Sequence, residues 1–287
     1  MIIFTAMSFW YLVFYSILAH VLGVIRHGID KNESLKLAQQ PAYQSVGMFT
    51  QQGRMMGSCV LIHPRMALTA AHTLTKLRQG ELEIEFDSIR VRVDSFFIHP
   101  WYSTHKGADI AILYLSRPIR TIKIPALNKS RKEKRHISTA VGFGNFSVAN
   151  NPKEIVDAGR LKSAGQNVLD SIAGLPLPNK LKPFLFADFD NPVNGKLNKS
   201  GDTVALHLEC GLDGGDSGGG MFIKRRNKEV LAGINAIQNK NIGDILRTGA
   251  FYGSSSEWVR ISVFKKWIGK KIKQFEKHSI KDQNGSI

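Results

Sequence analysis

Cysteine is nearly absent from this chain of 287 residues, which holds only Cys59 and Cys210. That excludes a disulfide framework of the kind that staples small extracellular domains, since at most one bridge can form. No C-x-x-C or H-E-x-x-H spacing occurs, so no metal site and no cofactor is expected. There is no zinc finger, no glycine-rich phosphate loop before a helical pattern and no RNA-binding signature, which argues against a specific nucleic-acid partner. Self-similarity at solenoid spacing is also missing. Acidic residues are the other shortage, 23 against 39 Lys and Arg, leaving a net charge of +16. Such an excess favours contact with polyanions. Its densest run, KSRKEKR at 129–135, reads first as an exposed linker and second as a polyanion dock.

Charged side chains are lacking altogether from Met1 to Ile25, where His20 is the only side chain that titrates near neutral pH. A run of this kind is a secretion signal or a single membrane anchor. The usual positive n-region is missing, and the first basic residues, Arg26 and Lys31, follow the apolar run, as in an anchor with its C-terminal side inside. Val21 and Gly23 are small enough for the −3 and −1 positions of a signal-peptidase site. Export to a secreted or periplasmic location is therefore expected, with retention as a membrane anchor the alternative.

The remainder has the composition of a globular protein long enough to bury a core. SIRVRVDSFFIHP at 88–100 alternates Ile89, Val91 and Val93 with Arg90, Arg92 and Asp94, the period of a half-buried strand. IAILYL at 110–115 suits an interior strand. TAVGFGNFS (139–147), EVLAGINAI (229–237) and SSEWVRISV (255–263) read as further strands, and 152–200 reads mostly as loops. Many short strands with Gly and Pro punctuation point to an all-β sandwich or barrel. At the C-terminus Phe264, Trp267, Ile268, Ile272 and Phe275 recur at helical spacing opposite Lys265, Lys266, Lys270 and Lys273. Residues 278–287 read as a disordered polar tail.

GLDGGDSGGG at 211–220 surrounds Ser217 with glycine. Glycine is costly to order and is kept where the backbone turns sharply or must be approached closely. A serine hydroxyl attacks a carbonyl only when a base takes its proton, and that base is held by a third group. His72 ends VLIHPRMALTAAH, where an apolar strand meets two alanines that leave the imidazole room. Asp109, in GADIAILYL, directly precedes an apolar strand, a place where a carboxylate needs a partner.

These three contexts together resemble the chymotrypsin/trypsin-like serine proteases, in a form similar to bacterial members. TAAH, ADIAIL and GDSGG stand in the family's order. FFIHPWY at 96–102, VGFG at 141–144 and WVRISVFKKWI at 258–268 extend the likeness over about residues 40–275. The resemblance implies an all-β fold of two antiparallel six-stranded β-barrels with a C-terminal helix. It implies His72 as base, Asp109 as its orienting group and Ser217 as nucleophile. Backbone N–H groups of Gly215 and Ser217 would form the oxyanion hole, and Asp216 would pair with a new N-terminal amine, freed at Val24 or His27. Gly211, Leu212, Asp213, Ile237 and Gln238 would line the specificity pocket.

The organisation implied is a signal or anchor (1–23), an activation segment (24–44), a first barrel (45–138), a second barrel with its helix (139–277) and the tail (278–287). Thr73 replaces a common cysteine, Gly220 a common proline, and Ala236, Ile237 and Gln238 a Ser-Trp-Gly substrate strand. Gly211 stands where trypsins carry an aspartate. The expected function is an exported serine endopeptidase acting on protein or peptide substrates. The alternative is a catalytically weak member that binds polyanions through its basic surface.

Overall fold

The computed structural model describes residues 22–25, 28–75, 77, 82–149, 151–157, 161–239 and 252–284. Most of the expected signal or anchor, and His27 in the activation segment, lie outside these residues. No helix among the described residues is long and apolar enough to cross a membrane.

Near the N-terminus, strand β1 (Leu22–Ile25) is followed by helix α1 (Lys31–Ala38), whose first turn is capped by the Asp30 carboxylate accepting the Asn32 N–H at 2.9 Å. Six strands then close a barrel: β2 (Val46–Gln51), β3 (Arg54–His63), β4 (Met66–Thr69), β5 (Leu82–Phe86), β6 (Ile89–Ile98) and β7 (Ala111–Leu115). They run in the order β2-β3-β4-β7-β6-β5, and β2 pairs with β5 to complete the ring. Burial follows the period of two. On β6, Val91 and Val93 are buried while Arg90, Arg92 and Asp94 face water.

The continuous apolar runs have a different cause, since both faces of their strands are covered. From β3, Cys59 and Leu61 enter the barrel interior with Phe49, Ile84 and Phe86, whereas Val60 and Ile62 join a second cluster outside it. On β7, Leu113 and Leu115 point in, and Ile112 points out.

That second cluster joins the barrel to the other half of the molecule. The other half is an eight-stranded sheet of β8 (Ala126–Leu127), β9 (Ile137–Gly142), β12 (Ser163–Val168), β13 (Ser171–Ala173), β14 (Phe184–Asp188), β16 (Gly220–Arg225), β17 (Lys228–Asn239) and β18 (Ser255–Arg260). Its main path runs β12-β9-β16-β17-β18-β14-β13, and β8 lies parallel to β17. β16 alternates in the same way: Met221 and Ile223 pack with the fully buried Trp258, and Phe222 packs toward the first barrel. A smaller sheet orders β11 (Asn151–Asp157), β10 (Asn145–Val148), β1 and β15 (Cys210–Gly211). The expected trypsin-like architecture of two antiparallel halves with a C-terminal helix is therefore present, the first half a closed six-stranded barrel and the second a half-barrel in place of the expected second six-stranded barrel. In the second half the strands spread over this wider sheet and its small companion.

Two expectations need correction. The stretch 152–200 holds β12, β13, β14 and nearly all of β11. Its sequence hides this because polar side chains serve the backbone. Asn167 on β12 is buried and donates from Nδ2 to the carbonyls of Asp188 (2.7 Å) and Cys210 (3.2 Å). The second correction is at the end of the chain. Helix α2 spans Ile261–Asn284, so 278–284 continue the helix instead of forming a tail. Phe264 and Ile268 bury its apolar stripe in the cluster between the two halves, with Trp267, Ile272 and Phe275 packed against it. Cys59 and Cys210 are both buried and unbridged.

Candidate active site

The strand ends bring the three candidate residues together from distant parts of the sequence. β4 delivers His72 through a single 3-10 turn, Ala71–Leu74, in which Ala70 and Ala71 are fully buried. Thr73, in the position of the expected cysteine, braces this turn by donating from Oγ1 back to the Ala70 carbonyl at 2.7 Å. Asp109 immediately precedes β7 and is almost completely buried. One carboxylate oxygen accepts the backbone N–H of His72 at 2.8 Å, and the other lies 2.7 Å from its Nδ1. The opposite ring nitrogen, Nε2, lies 3.0 Å from the Ser217 hydroxyl.

This geometry assigns the tautomer. A buried carboxylate at 2.7 Å holds the proton on Nδ1, leaving the Nε2 lone pair to accept from Ser217. Among the described residues both hydrogen bonds to Asp109 come from His72. Ala236 supplies no hydroxyl, so the aspartate is held by the histidine's own backbone and ring.

Around Ser217 the glycines perform separate tasks. Gly215 and Gly218 adopt φ of +93° and +91°, a region costly for other residues. A Cβ on Gly218 would fall 2.1 Å from the Ser58 carbonyl and from Thr69 Oγ1, and one on Gly219 would fall 2.3 Å from the Val141 carbonyl. These two seat the turn on its floor. The Gly214 carbonyl accepts the Asn145 N–H at 3.3 Å, and the Asp216 carbonyl accepts the Gly219 N–H at 2.9 Å. In a trans peptide the N–H points opposite to its carbonyl. The Gly215 and Ser217 N–H groups are thus turned away from these contacts, and neither meets an acceptor among the described residues.

The Asp216 side chain turns inward. Its carboxylate accepts the N–H groups of Gly144 (2.9 Å) and Asp213 (3.1 Å). Burial pushes its pKa up to about 6, and the two N–H donors oppose that shift. The VGFG motif has a steric purpose here: a Cβ on Gly142 or Gly144 would lie 2.3 or 2.6 Å from Asp216 Oδ1.

Ser58 and Asn235 also support the site, and no motif in the sequence marks either of them. The buried Ser58 hydroxyl receives the Phe143 N–H and donates to the Gly215 carbonyl, both at 2.9 Å. Its backbone N–H donates to the Ser217 carbonyl at 2.8 Å. Asn235 exchanges backbone bonds with Gly218 (2.8 Å) and Gly219 (2.9 Å), and its side chain donates to the Val141 carbonyl at 3.1 Å. The available signal was a polar residue inside an apolar strand, which needs a partner when buried.

Of the expected pocket residues, Gly211, Leu212 and Asp213 are buried beside the nucleophile turn, and the Leu212 N–H donates to Ser256 Oγ at 2.9 Å. Ile237 and Gln238 pair through their backbones with Glu257 and Ser256, after a bulge at Ala236. Their side chains lie outside the described residues. Val24 pairs with Gly211 in the small sheet. No three His, Cys, Asp or Glu side chains among the described residues are arranged to hold a metal ion.

A family model described as Trypsin matches residues 35–174, a span that includes His72 and Asp109 and ends before Ser217. A search of curated protein sequences found no match. Among solved structures the chain is similar to neuropsin, described as a serine protease expressed in the limbic system of mouse brain. The TM-score is 0.57 at 16% identity, covering 81% of this chain and 96% of that one. The fold agrees over this shared span, and the motifs carrying His72, Asp109 and Ser217 stand in the order that the resemblance required. By architecture this chain has the trypsin-like fold, and over residues 35–174 it matches the family model described as Trypsin.

Proposed function

We propose that the chain is an exported serine endopeptidase working through His72, Asp109 and Ser217. The observation that carries this reading is the continuous line from the buried Asp109 carboxylate through the His72 ring to the Ser217 hydroxyl, at 2.7 and 3.0 Å. As Ser217 Oγ bonds to a peptide carbonyl carbon, its proton passes to His72 Nε2. The carbonyl oxygen becomes an anion facing the Gly215 and Ser217 N–H groups. Donors fixed in advance are worth about 10²–10³ in rate each at such a position. When the tetrahedral species collapses, the C–N bond breaks and Nε2 protonates the departing amine. Water then repeats the sequence on the acyl ester and frees Ser217. Asp109 stabilises the imidazolium formed on the way.

Asp216 is the candidate partner of a processed N-terminus: an ammonium beside this buried carboxylate would favour its charged form. The uncharged first 25 residues support export, by cleavage or as an anchor. With Gly211 at the pocket base, a preference for Arg or Lys next to the cleaved bond has no aspartate to support it.

A fluorophosphonate probe tests the reading. Stoichiometric labelling of the mature chain, abolished in Ser217→Ala, is the expected result. Absence of labelling in a folded, processed sample would overturn it in favour of a polyanion-binding member without activity. Intact mass of the same sample reports the N-terminus.

A further inference from the structure

The run KSRKEKR is built into the fold as a fixed cluster of cations. Its single acid, Glu133, is fully buried. Arg260, at the end of β18, donates to both carboxylate oxygens at 3.1 and 2.8 Å, Ser262 Oγ donates at 2.6 Å and Asn128 Nδ2 at 3.3 Å. The negative charge inside the run is therefore turned inward and answered there, while Lys129, Arg131, Lys132, Lys134 and Arg135 are all exposed.

The backbone of the run is fastened from three sides. Arg260 also donates to the Arg131 carbonyl (2.8 Å), Lys265 of α2 to the Lys129 carbonyl (2.7 Å), and Arg225 of β16 to the Lys132 carbonyl. The Arg135 N–H donates to the Leu169 carbonyl at 2.7 Å, with φ of +64°. The bond from Arg225 brings the β16–β17 turn alongside, with Lys224, Arg226 and Lys228 exposed on it. Between run and turn lies a cavity of about 480 Å³, lined by Arg135, His136 and Lys224 with Ile137, Thr139 and Gln166, and with Glu229 as its one acid.

We infer that this loop, hairpin turn and cavity form a docking site for a linear anionic polysaccharide, separate from the catalytic residues. The chemistry narrows the partner. Single-stranded nucleic acid is held by stacking bases on aromatic rings as well as by charge, and neither the run nor the turn contains an aromatic residue. A bilayer calls for an apolar face beneath the cations, and the exposed apolar neighbour is Ile137. Duplexes present two rows of phosphates along a rigid cylinder, whereas these cations gather around one concavity. A flexible chain of sulfated or phosphorylated sugars can bring several charges to one such place. Because the backbone is already fixed, binding orders side chains only, which limits its entropic cost.

The test uses a labelled heparin oligosaccharide and the full chain at physiological salt. R131E/K132E/K134E keeps Glu133 and every backbone fastening and should weaken binding at least about tenfold, given what exposed ion contacts contribute. R226E/K228E on the hairpin should weaken it in the same direction, and supplies the measurement if the first variant is misfolded by circular dichroism. K180E/K182E/K196E, matched in charge change and outside the cluster, should shift binding by less than about threefold. Fluorophosphonate labelling should be equal in all. An equal loss in the K180E/K182E/K196E variant would overturn the site in favour of the overall positive field. So would unchanged binding in both cluster variants. Duplex DNA binding at least as tightly as heparin, with the same sensitivity to the cluster variants, would replace the polysaccharide with nucleic acid.

Discussion

Ser58→Ala removes one oxygen atom and separates two consequences of the same contact. The hydroxyl satisfies the Phe143 N–H and supports the Gly215 carbonyl, each at 2.9 Å, in a fully buried position. Loss of the two bonds costs about 1 kcal/mol each, and the orphaned N–H adds desolvation, for a total of about 2–4 kcal/mol. The urea midpoint should fall accordingly at unchanged m-value. The second consequence is kinetic. Gly215 carries one of the two proposed oxyanion donors, and the peptide that follows this N–H in the chain is held in place partly by the Ser58 hydroxyl. The rate of inactivation by a fluorophosphonate, which requires both nucleophile and oxyanion hole, should drop about tenfold to a hundredfold, below the full cost of deleting a donor. Ser58→Thr keeps the hydroxyl and should recover most of the rate where its extra methyl is accommodated. An unchanged inactivation rate in Ser58→Ala, with stability lowered as expected, would refute the argument that Ser58 positions the oxyanion turn. A stability loss under about 0.5 kcal/mol would refute the hydrogen-bond reasoning itself.

Other residues give further tests. His99 packs among Trp101, Phe264 and Trp267, and burial lowers its pKa to about 4. A depressed pKa gives stability that is present above about 6.5 and is lost as pH falls toward 4, by about 2–3 kcal/mol. The difference in urea midpoint between the parent and His99→Gln should shift in the variant's favour by that amount as pH falls from 7 to 4. Burial and mutual repulsion raise Asp170 and Asp190 to about 7 and Glu209 to about 9. Raised carboxyl pKa values give stability that is full below about 4 and is lost as pH rises to about 7 for the aspartates and to about 9 for Glu209, so Glu209 alone still contributes a slope between 7 and 9. Melting temperature should therefore decline over that range, with a smaller decline in Glu209→Gln. Gly218→Ala places a Cβ 2.1 Å from Ser58 O at φ of +91°. It should abolish labelling of Ser217 and lower stability by more than about 3 kcal/mol, measured by urea unfolding.

Sequence and structure agree most closely where one residue type is required by several constraints at once. Ser217 needed open backbone around it, His72 needed room, and Asp109 needed a partner at the edge of a core, and each need left a local pattern. β6 was legible because one face of it is wet. β12 was not, because its polar Gln166 and Asn167 alternate with nothing and Asn167 is satisfied by carbonyls far away in sequence. The run 129–135 reads as a linker because a sequence of charges does not reveal that one of them, Glu133, points into the protein. Ser58 was hidden for the same reason: its partners, Phe143 and Gly215, lie in the other half of the molecule. The helix past Phe275 has no apolar stripe to announce it, and continues from the packed turns before it.

The two buried thiols bear on how this protein can be handled. Cys59 lies inside the first barrel and Cys210 packs with the second sheet, and burial pushes both well above the ordinary thiol range. The trypsin-like fold here is closed by side-chain packing and strand ladders alone, without a covalent tie. Its native state is consequently indifferent to redox potential: folding requires no oxidant or disulfide shuffling, and reductant does not loosen it. Thiol reagents should reach the cysteines only through unfolding, so their rate of reaction becomes a clock for how often either half of the molecule opens.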